Sequence, residues 1–492
     1  MTGLIVVLVF LLGLTALVLG RTLYFAPPRG RAEAEFSGCG EAAPDALDRL
    51  SRAITFPTIC AQDYTGTDFT PFDRFIAFLE EAYPLFHRTC EGERVNGYAL
   101  VYRWKGSDPS LAPMMLTAHY DVVPVEAGTE AEWTHPGFSG ARAEGRIWGR
   151  GTLDIKSQLT AHLEAAEALI REGFVPKRDF YFVYGQDEET GGRNGAYKAA
   201  DYFAEKGIRF AGVLDEGGFV VSGVLKGIKT PLALIGVAEK GFCNYELTLE
   251  GEGGHSSMPP VHSALGYAAK LIAAIETHPL RSRLSLPAGL MLRNIAGEMG
   301  FMMRMAVANL WLFRPLLLWI LGRNPVTNAM IRSTFAATMA RASNAANVLP
   351  QRARAVINVR LLPGDSVAAV AEYFKKLGKG LPLSIRPLEA EEASPVSPAE
   401  GPLYDRITGL IGEIYPGALA TPYLVMGGTD ARKYYKVCDY VYRFTPVLVT
   451  NEEKNTVHGT NESISIVNYS RMIYFYRRLI GGFDGEAFPA MI

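Results

Sequence analysis

The sequence predicts an α/β fold, a central and mostly parallel sheet flanked by helices, carried behind an N-terminal transmembrane helix. Three observations carry this expectation. Short apolar runs at Met114 to Thr117, Phe180 to Tyr184 and Gly212 to Leu214 are each followed by polar or glycine residues, as buried strands are. Helical patterns separate them, clearest from Ile155 to Arg171, and alternating strands and helices favour a parallel sheet with its chemistry at the carboxyl ends of the strands. Ahead of all this, the 18 residues from Gly3 to Gly20 carry no charge and only Thr15 is polar.

As a helix rising about 1.5 Å per residue, that first segment just spans a bilayer core. A retained anchor over residues 1–20 is favoured over a cleaved signal, because Met1-Thr2 lacks a basic residue and Val18-Leu19-Gly20 is a weak cleavage site. Arg21, Arg29 and Arg31 follow, so the positive-inside rule places the folded part in the cytoplasm; three arginines leave the side open. Residues 21–43, with Pro27-Pro28 and several glycines, read as a linker, and the folded part begins near Asp45. The 492 residues hold 49 Lys+Arg against 51 Asp+Glu, a net charge of −2, with 48 % hydrophobic residues. That balance describes a globular protein without the basic field that nucleic acid requires. Five scattered cysteines with no C-x-x-C pair imply neither a disulfide framework nor a thiolate zinc site.

His119, Asp121, Asp154, Glu188, Glu189 and Asp215 all fall at or just after the expected strand ends. Six such groups on one rim would repel one another without cations, which points to a metal site, with two ions. In His119-x-Asp121 the period of an extended chain puts both side chains on one face, so the carboxylate can accept the ring N–H of a metal-bound imidazole. In Glu188-Glu189 the neighbours point apart, so one can bind metal while the other holds a water and takes its proton. Each piece alone is ordinary: His-x-Asp is commonly a surface pair, and an acidic run a solvated turn. Their ordered succession is what carries weight.

The succession resembles that of the dinuclear zinc exopeptidases and amidohydrolases that include carboxypeptidase S, aminoacylase and N-fatty-acyl-amino-acid synthase/hydrolase. The resemblance runs from about Asp45 to the C-terminus. It rests on His119-Tyr120-Asp121-Val122-Val123-Pro124, Trp148 to Lys156, Asp187 to Gly192, Leu214-Asp215-Glu216-Gly217, Gly254 to Pro259 and His458-Gly459-Thr460-Asn461-Glu462. It implies a catalytic domain in two parts, 44–237 and 391–492, interrupted by a smaller α+β lid over 238–390 through which a homodimer would form. It further implies that His119, Asp154 and Asp215 hold one zinc and Asp154, Glu189 and His458 the other. Glu188 would be the general base, and Asp121 the carboxylate behind His119. His255 in the lid would stabilise the oxyanion, from its own or a partner subunit, while Asn347 and Arg360 would hold a substrate carboxylate. The Gly427-Gly428-Thr429-Asp430 loop resembles a family segment beside the substrate.

Within the lid, Met302 to Pro325 is aromatic and leucine-rich, and Arg314-Pro315 interrupts it too soon for a second membrane span. Asn309 to Phe313 and Arg323 to Ala329 look closer to the fatty-acyl-amino-acid enzymes than to ordinary peptidases. Such an insertion would line an acyl groove, dip into the membrane interface, or simply fill the lid core. The expected activity is amide hydrolysis of N-acyl, including N-fatty-acyl, amino acids, reversible in principle, on a small amphiphilic substrate. The expected cofactors are two zinc ions, and the same donors accept cobalt or manganese. A carboxypeptidase or dipeptidase is the nearer alternative, and a catalytically silent membrane-tethered binding protein the farther one.

Overall fold

Met114–His119, Phe180–Gly185 and Gly212–Asp215 form adjacent parallel strands, and every residue in them is buried, as a sheet covered on both faces demands. The computed structural model describes residues 2–25, 38, 40–223 and 228–483. Across the main sheet the order is Glu91–Val95, Ala99–Trp104, Phe180–Gly185, Met114–His119, Gly212–Asp215, Val441–Arg443, Leu232–Glu239, Val220–Val221 and Leu448–Val449. Leu419–Val425 adds a parallel pairing to Leu232–Glu239. The centre is parallel and the Glu91 edge antiparallel. Helix Lys156–Arg171 packs against strand Met114–His119 and helix Ile466–Gly481, so residues far apart in sequence close over one core.

After Glu239 the chain builds a second, antiparallel sheet in the order Thr334–Arg341, Arg352–Leu361, Gly241–Glu250 and Leu383–Glu391. Burial alternates strictly along Gly241–Glu250, so Cys243, Tyr245, Leu247 and Leu249 face one way. They pack with Leu271 and Ile275 of helix Ala264–Thr277 and Phe374 of helix Val367–Leu377 to form a separate small core.

Three expectations need correction. Residues 238–390 are not one lid: Met291, Leu292, Ile295, Val307, Leu317, Met330 and Ile331 join the catalytic core, and helix Leu286–Ile295 packs on strand Leu419–Val425. The apolar stretch belongs to the catalytic side because its buried face meets that sheet and not the lid's. Asp154 does not follow a strand of the main sheet. Its preceding strand, Arg146–Trp148, lies in a small antiparallel sheet with Ala141–Ala143 and Ser463–Ser465, and Asp154 sits in the turn before helix Lys156–Arg171. The N-terminal helix extends past residue 20, over Thr2–Tyr24, and is long and apolar enough to cross a membrane. Most of the expected linker, and Cys39, lie outside the described residues, and the next helix is Pro44–Ile54. Cys60, Cys90, Cys243 and Cys438 are buried and, among the described residues, form no disulfide.

His162, on helix Lys156–Arg171, is fully buried, edge-on to Tyr476 at 4.1 Å between ring centroids, and neither ring nitrogen has a hydrogen-bond partner among the described residues. Burial depresses its pKa from the ordinary 6.5 to about 3. A depressed pKa means that the neutral ring's contribution is fully present above pH about 6.5 and is lost as pH falls toward 3, by up to about 1.4 kcal/mol per pH unit. Urea unfolding between pH 7 and 5 should therefore show falling stability, with a shallower fall in His162→Leu. Equal slopes in the two proteins would contradict this.

Candidate metal centre

His119 ends its strand with 1 % exposure, and its Nδ1 lies 3.0 Å from the Asp121 carbonyl oxygen and 3.4 Å from Asp121 Oδ1. Both are acceptors, so Nδ1 carries the proton toward them and Nε2 turns its lone pair outward. Nε2 faces Asp154 Oδ1 at 3.1 Å and Glu216 Oε1 at 3.9 Å. The buried Asp121 carboxylate also accepts the backbone N–H groups of Glu188, at 3.1 Å, and Glu189, at 3.0 Å. One residue thus orients the imidazole and holds the turn that presents both glutamates.

That turn is a short 3-10 segment, Glu188–Thr190, closed by Gly191 and Gly192 at φ 102° and 69°. Only glycine takes that conformation cheaply, and a Cβ on Gly192 would collide with Asp430. Glu189 Oε2 lies 3.1 Å from His458 Nε2, which lies 2.9 Å from Asp154 Oδ2. His458 itself holds φ 60°, a strained value for a residue with a side chain. Two donor sets result, His119 with Asp154 and Glu216, and Asp154 with Glu189 and His458, each with its atoms within 4.8 Å of one another. Asp154 is common to both and offers one oxygen to each side.

The loops bearing Asp154 and His458 are joined by Glu462. Its Oε1 accepts the N–H groups of Gly151 at 3.0 Å, Leu153 at 2.7 Å and Asp154 at 3.2 Å. Its Oε2 pairs with the buried Arg150, which also donates to the Gly459 carbonyl at 2.9 Å. On the opposite flank Glu239 receives Arg443, Arg432 and Thr429, and these partners outweigh burial to hold its carboxyl down at about 2.

Electrostatics in the centre favours a cation. Burial, reinforced by neighbouring carboxylates, pushes Glu188 and Glu216 well above the ordinary carboxylate range. Burial alone would lower His119, yet its bonds to Asp121 and Asp154 raise it well above the ordinary value. Glu189 Oε1 is buried with no hydrogen-bond partner among the described residues. An orphaned oxygen, two outward imidazole nitrogens and a shared carboxylate fit divalent metal ions.

The structure sets Glu216, and not the expected Asp215, beside His119 and Asp154. Successive side chains of an extended segment point to opposite faces. Asp215 accordingly has Glu239 and Arg443 among its charged neighbours, and burial raises its carboxyl to about 6. The sequence offered two adjacent acids and no signal to choose between them. The lid residues are not gathered into the cluster. His255 and Asn347 are exposed, around a two-stranded ribbon of Gly254–His255 with Val348–Leu349, and among the described residues His255 Nδ1 bonds only within its turn, to Ser257 at 2.8 Å from Oγ and 3.2 Å from the backbone N. Arg360 is half-buried on strand Arg352–Leu361, with its guanidinium 5.7 Å from the Phe242 ring centroid. Burial and the charge of Arg432 lower its pKa. Asp430 is buried, with Lys433 Nζ at 3.3 Å.

The profile of peptidase family M20/M25/M40 matches residues 115–481. The chain belongs to this family. As a member of it, the protein is a metallohydrolase acting on amide or peptide bonds. It is 36 % identical over 437 residues to a probable carboxypeptidase S-like protein of Dictyostelium discoideum, covering 88 % of this chain and 84 % of that one. It is 34 % identical over 447 residues to the N-fatty-acyl-amino acid synthase/hydrolase of Xenopus tropicalis, covering 90 % and 86 %. In fold it is similar to an M20 family metallo-carboxypeptidase from Sulfolobus solfataricus, with a TM-score of 0.66 at 19 % identity over 90 % of this chain and 99 % of that one.

Two outcomes test this geometry. Metal analysis should find that Glu216→Gln loses about one equivalent of bound metal and Asp215→Asn does not; the reverse pattern would restore Asp215 as the donor. Glu462→Ala should cost about 3–5 kcal/mol in chemical denaturation, because Arg150 is left buried and unpaired. A loss below about 1 kcal/mol would show that the loops hold without that pair.

Proposed function

We propose that the chain cleaves the amide bond of N-acyl amino acids, preferring long fatty-acyl chains, at a dinuclear zinc centre, and forms that bond when fatty acid and amino acid are abundant. The observation that carries this reading is the pair of donor sets sharing Asp154, with Glu188 half-buried at their edge. His119, Asp154 and Glu216 would hold one ion, and Asp154, Glu189 and His458 the other. Bound ions supply Lewis acidity to the scissile carbonyl and lower the pKa of a water. Zinc suits these donors, as do cobalt and manganese.

Glu188 takes the proton of the attacking water and delivers it to the leaving amine nitrogen. Asp121 fixes the backbone from which Glu188 projects. Arg360, beside Arg432, offers a guanidinium fork to the amino acid's carboxylate, with Asn347 as its neighbour in that role. His255 donates to the developing oxyanion. The side chains of His255 and Asn347 are exposed, which supports their delivery from the lid of a second copy in a homodimer. Strand Thr334–Arg341, an exposed edge of the lid sheet, supports the same assembly.

The fatty-acyl preference is supported by the 34 % identity to the Xenopus synthase/hydrolase and by an apolar insertion on the catalytic side. Helix Thr2–Tyr24, whose only buried residues are Val18 and Thr22, is read as a retained membrane anchor that places the enzyme where amphiphiles partition. Peptide cleavage is the second reading, favoured by the carboxypeptidase S-like relative. Hydrolysis of long-chain acyl-phenylalanine, acetyl-phenylalanine and a dipeptide separates them. The long-chain substrate should have the highest kcat/KM, and Glu188→Gln should lower turnover about 10²–10⁴-fold while retaining metal. Preference for the dipeptide would favour the second reading, and turnover indifferent to Glu188→Gln would contradict both.

A further inference from the structure

The apolar insertion packs against the N-terminal helix through helix Phe301–Ala308 and is hydrogen-bonded to it at that helix's end. The side-chain amide of Asn309 donates to the Val18 carbonyl at 3.2 Å and contacts Thr22 Oγ1 at 3.3 Å, and Arg21 Nε donates to the Ala308 carbonyl at 3.1 Å. Ala308 and Asn309 form the junction between helices Phe301–Ala308 and Leu310–Leu321. The last turns of the anchor are therefore pinned to the place where the second helix begins.

Helix Leu310–Leu321 is too short to span a bilayer and buries only Leu317. Leu312, Leu316 and Trp319, at helical spacing i, i+4 and i+7, are exposed on one face with Trp311 beside them. An aqueous surface seldom carries such a stripe, whereas a bilayer interface takes apolar side chains and tryptophan rings together. Behind the stripe lies a cavity of about 870 Å³ into which Arg281, Arg283, Arg314, Arg323 and Arg332 converge, with Trp319 on its wall. Among the described residues no carboxylate lines it. Arg283 is held by Asp365 at 2.8 Å, and Arg323 lies 3.5 Å from the centroid of the Trp319 ring. Arg332 Nε is buried without a hydrogen-bond partner among the described residues. Converging guanidiniums, of which only Arg283 has a carboxylate partner among the described residues, select a multivalent oxyanion such as a phosphate. The cavity shares no residue with the donor sets around Asp154.

We infer that the insertion is a second membrane contact: the Trp311 to Trp319 face lies in the lipid interface beside the anchor, and the arginine cavity holds the phosphate of an anionic phospholipid. The inference rests on the anchor reading of Thr2–Tyr24. A phospholipid is the chosen occupant because Trp319 belongs to both the cavity wall and the apolar stripe, on a helix whose first residues are pinned to the anchor. Seated there, the insertion would fix the catalytic domain's orientation against the membrane.

The test uses the full chain reconstituted in phosphatidylcholine vesicles doped with either brominated phosphatidylglycerol or an equal fraction of brominated phosphatidylcholine. Tryptophan quenching should be about threefold greater with the anionic lipid. Trp311→Tyr/Trp319→Tyr should remove most of the quenching, and Arg281→Ser/Arg314→Ser/Arg323→Ser should abolish the preference. Equal quenching of the unaltered protein by the two lipids, which needs no variant to fold, would overturn the inference and leave the anchor reading standing. A preference that survives the arginine substitutions would overturn the cavity's role. Failure to co-float with either vesicle would remove the anchor reading, and the inference with it.

Discussion

The buried pair between Arg150 and Glu462 is the constraint on which the rest of the site depends. One fully buried carboxylate takes the backbone N–H groups of Gly151, Leu153 and Asp154, and its partner arginine holds the carbonyl of Gly459. Asp154 and His458, some three hundred residues apart in sequence, are thereby brought to 2.9 Å. Such a pair adds little net stability over apolar packing, but each partner makes the other's removal expensive. What it supplies is register: an Asp154 able to face two imidazoles at once.

Asp121 plays the equivalent part on the other flank, ordering His119 with its carbonyl and two backbone N–H groups with its carboxylate. Between these two fixtures the chain gathers Asp154, Glu188, Glu189 and Glu216 with little water to screen them. Left alone, that arrangement favours protonation of its glutamates, the direction burial pushes Glu188, Glu189 and Glu216, while the two imidazoles outweigh burial to hold Asp154 low. Cations relieve the same stress and convert it into chemistry, leaving Glu188 able to move a proton. The strain of His458 at positive φ is held within this framework, since Arg150 fixes the residue after it.

Much of this was legible in the residues. Continuous apolar runs ending in His119, Gly185 and Asp215 are what a doubly covered parallel sheet requires, and the strands form there. The strict alternation from Phe242 to Leu249 likewise marks a half-buried strand. Asp215 and Glu216 could not be separated, because two adjacent acids at a strand end differ only in the face each takes. Glu462 was visible as part of a motif, but its role emerges only when the loop it caps is seen. The insertion's side was also hidden: an apolar sequence does not declare which sheet its few buried residues meet. His255 and Asn347 show the complementary limit, since a single chain leaves them in solvent.

The central claim is that Asp154 bridges two ions between His119 and Glu216 on one side and Glu189 and His458 on the other. Anomalous diffraction at the zinc edge from crystals grown with zinc tests it most directly. The account predicts two peaks about 3.5–4 Å apart, astride the Asp154 carboxylate. A single peak, or two peaks that Asp154 does not touch in common, would contradict it.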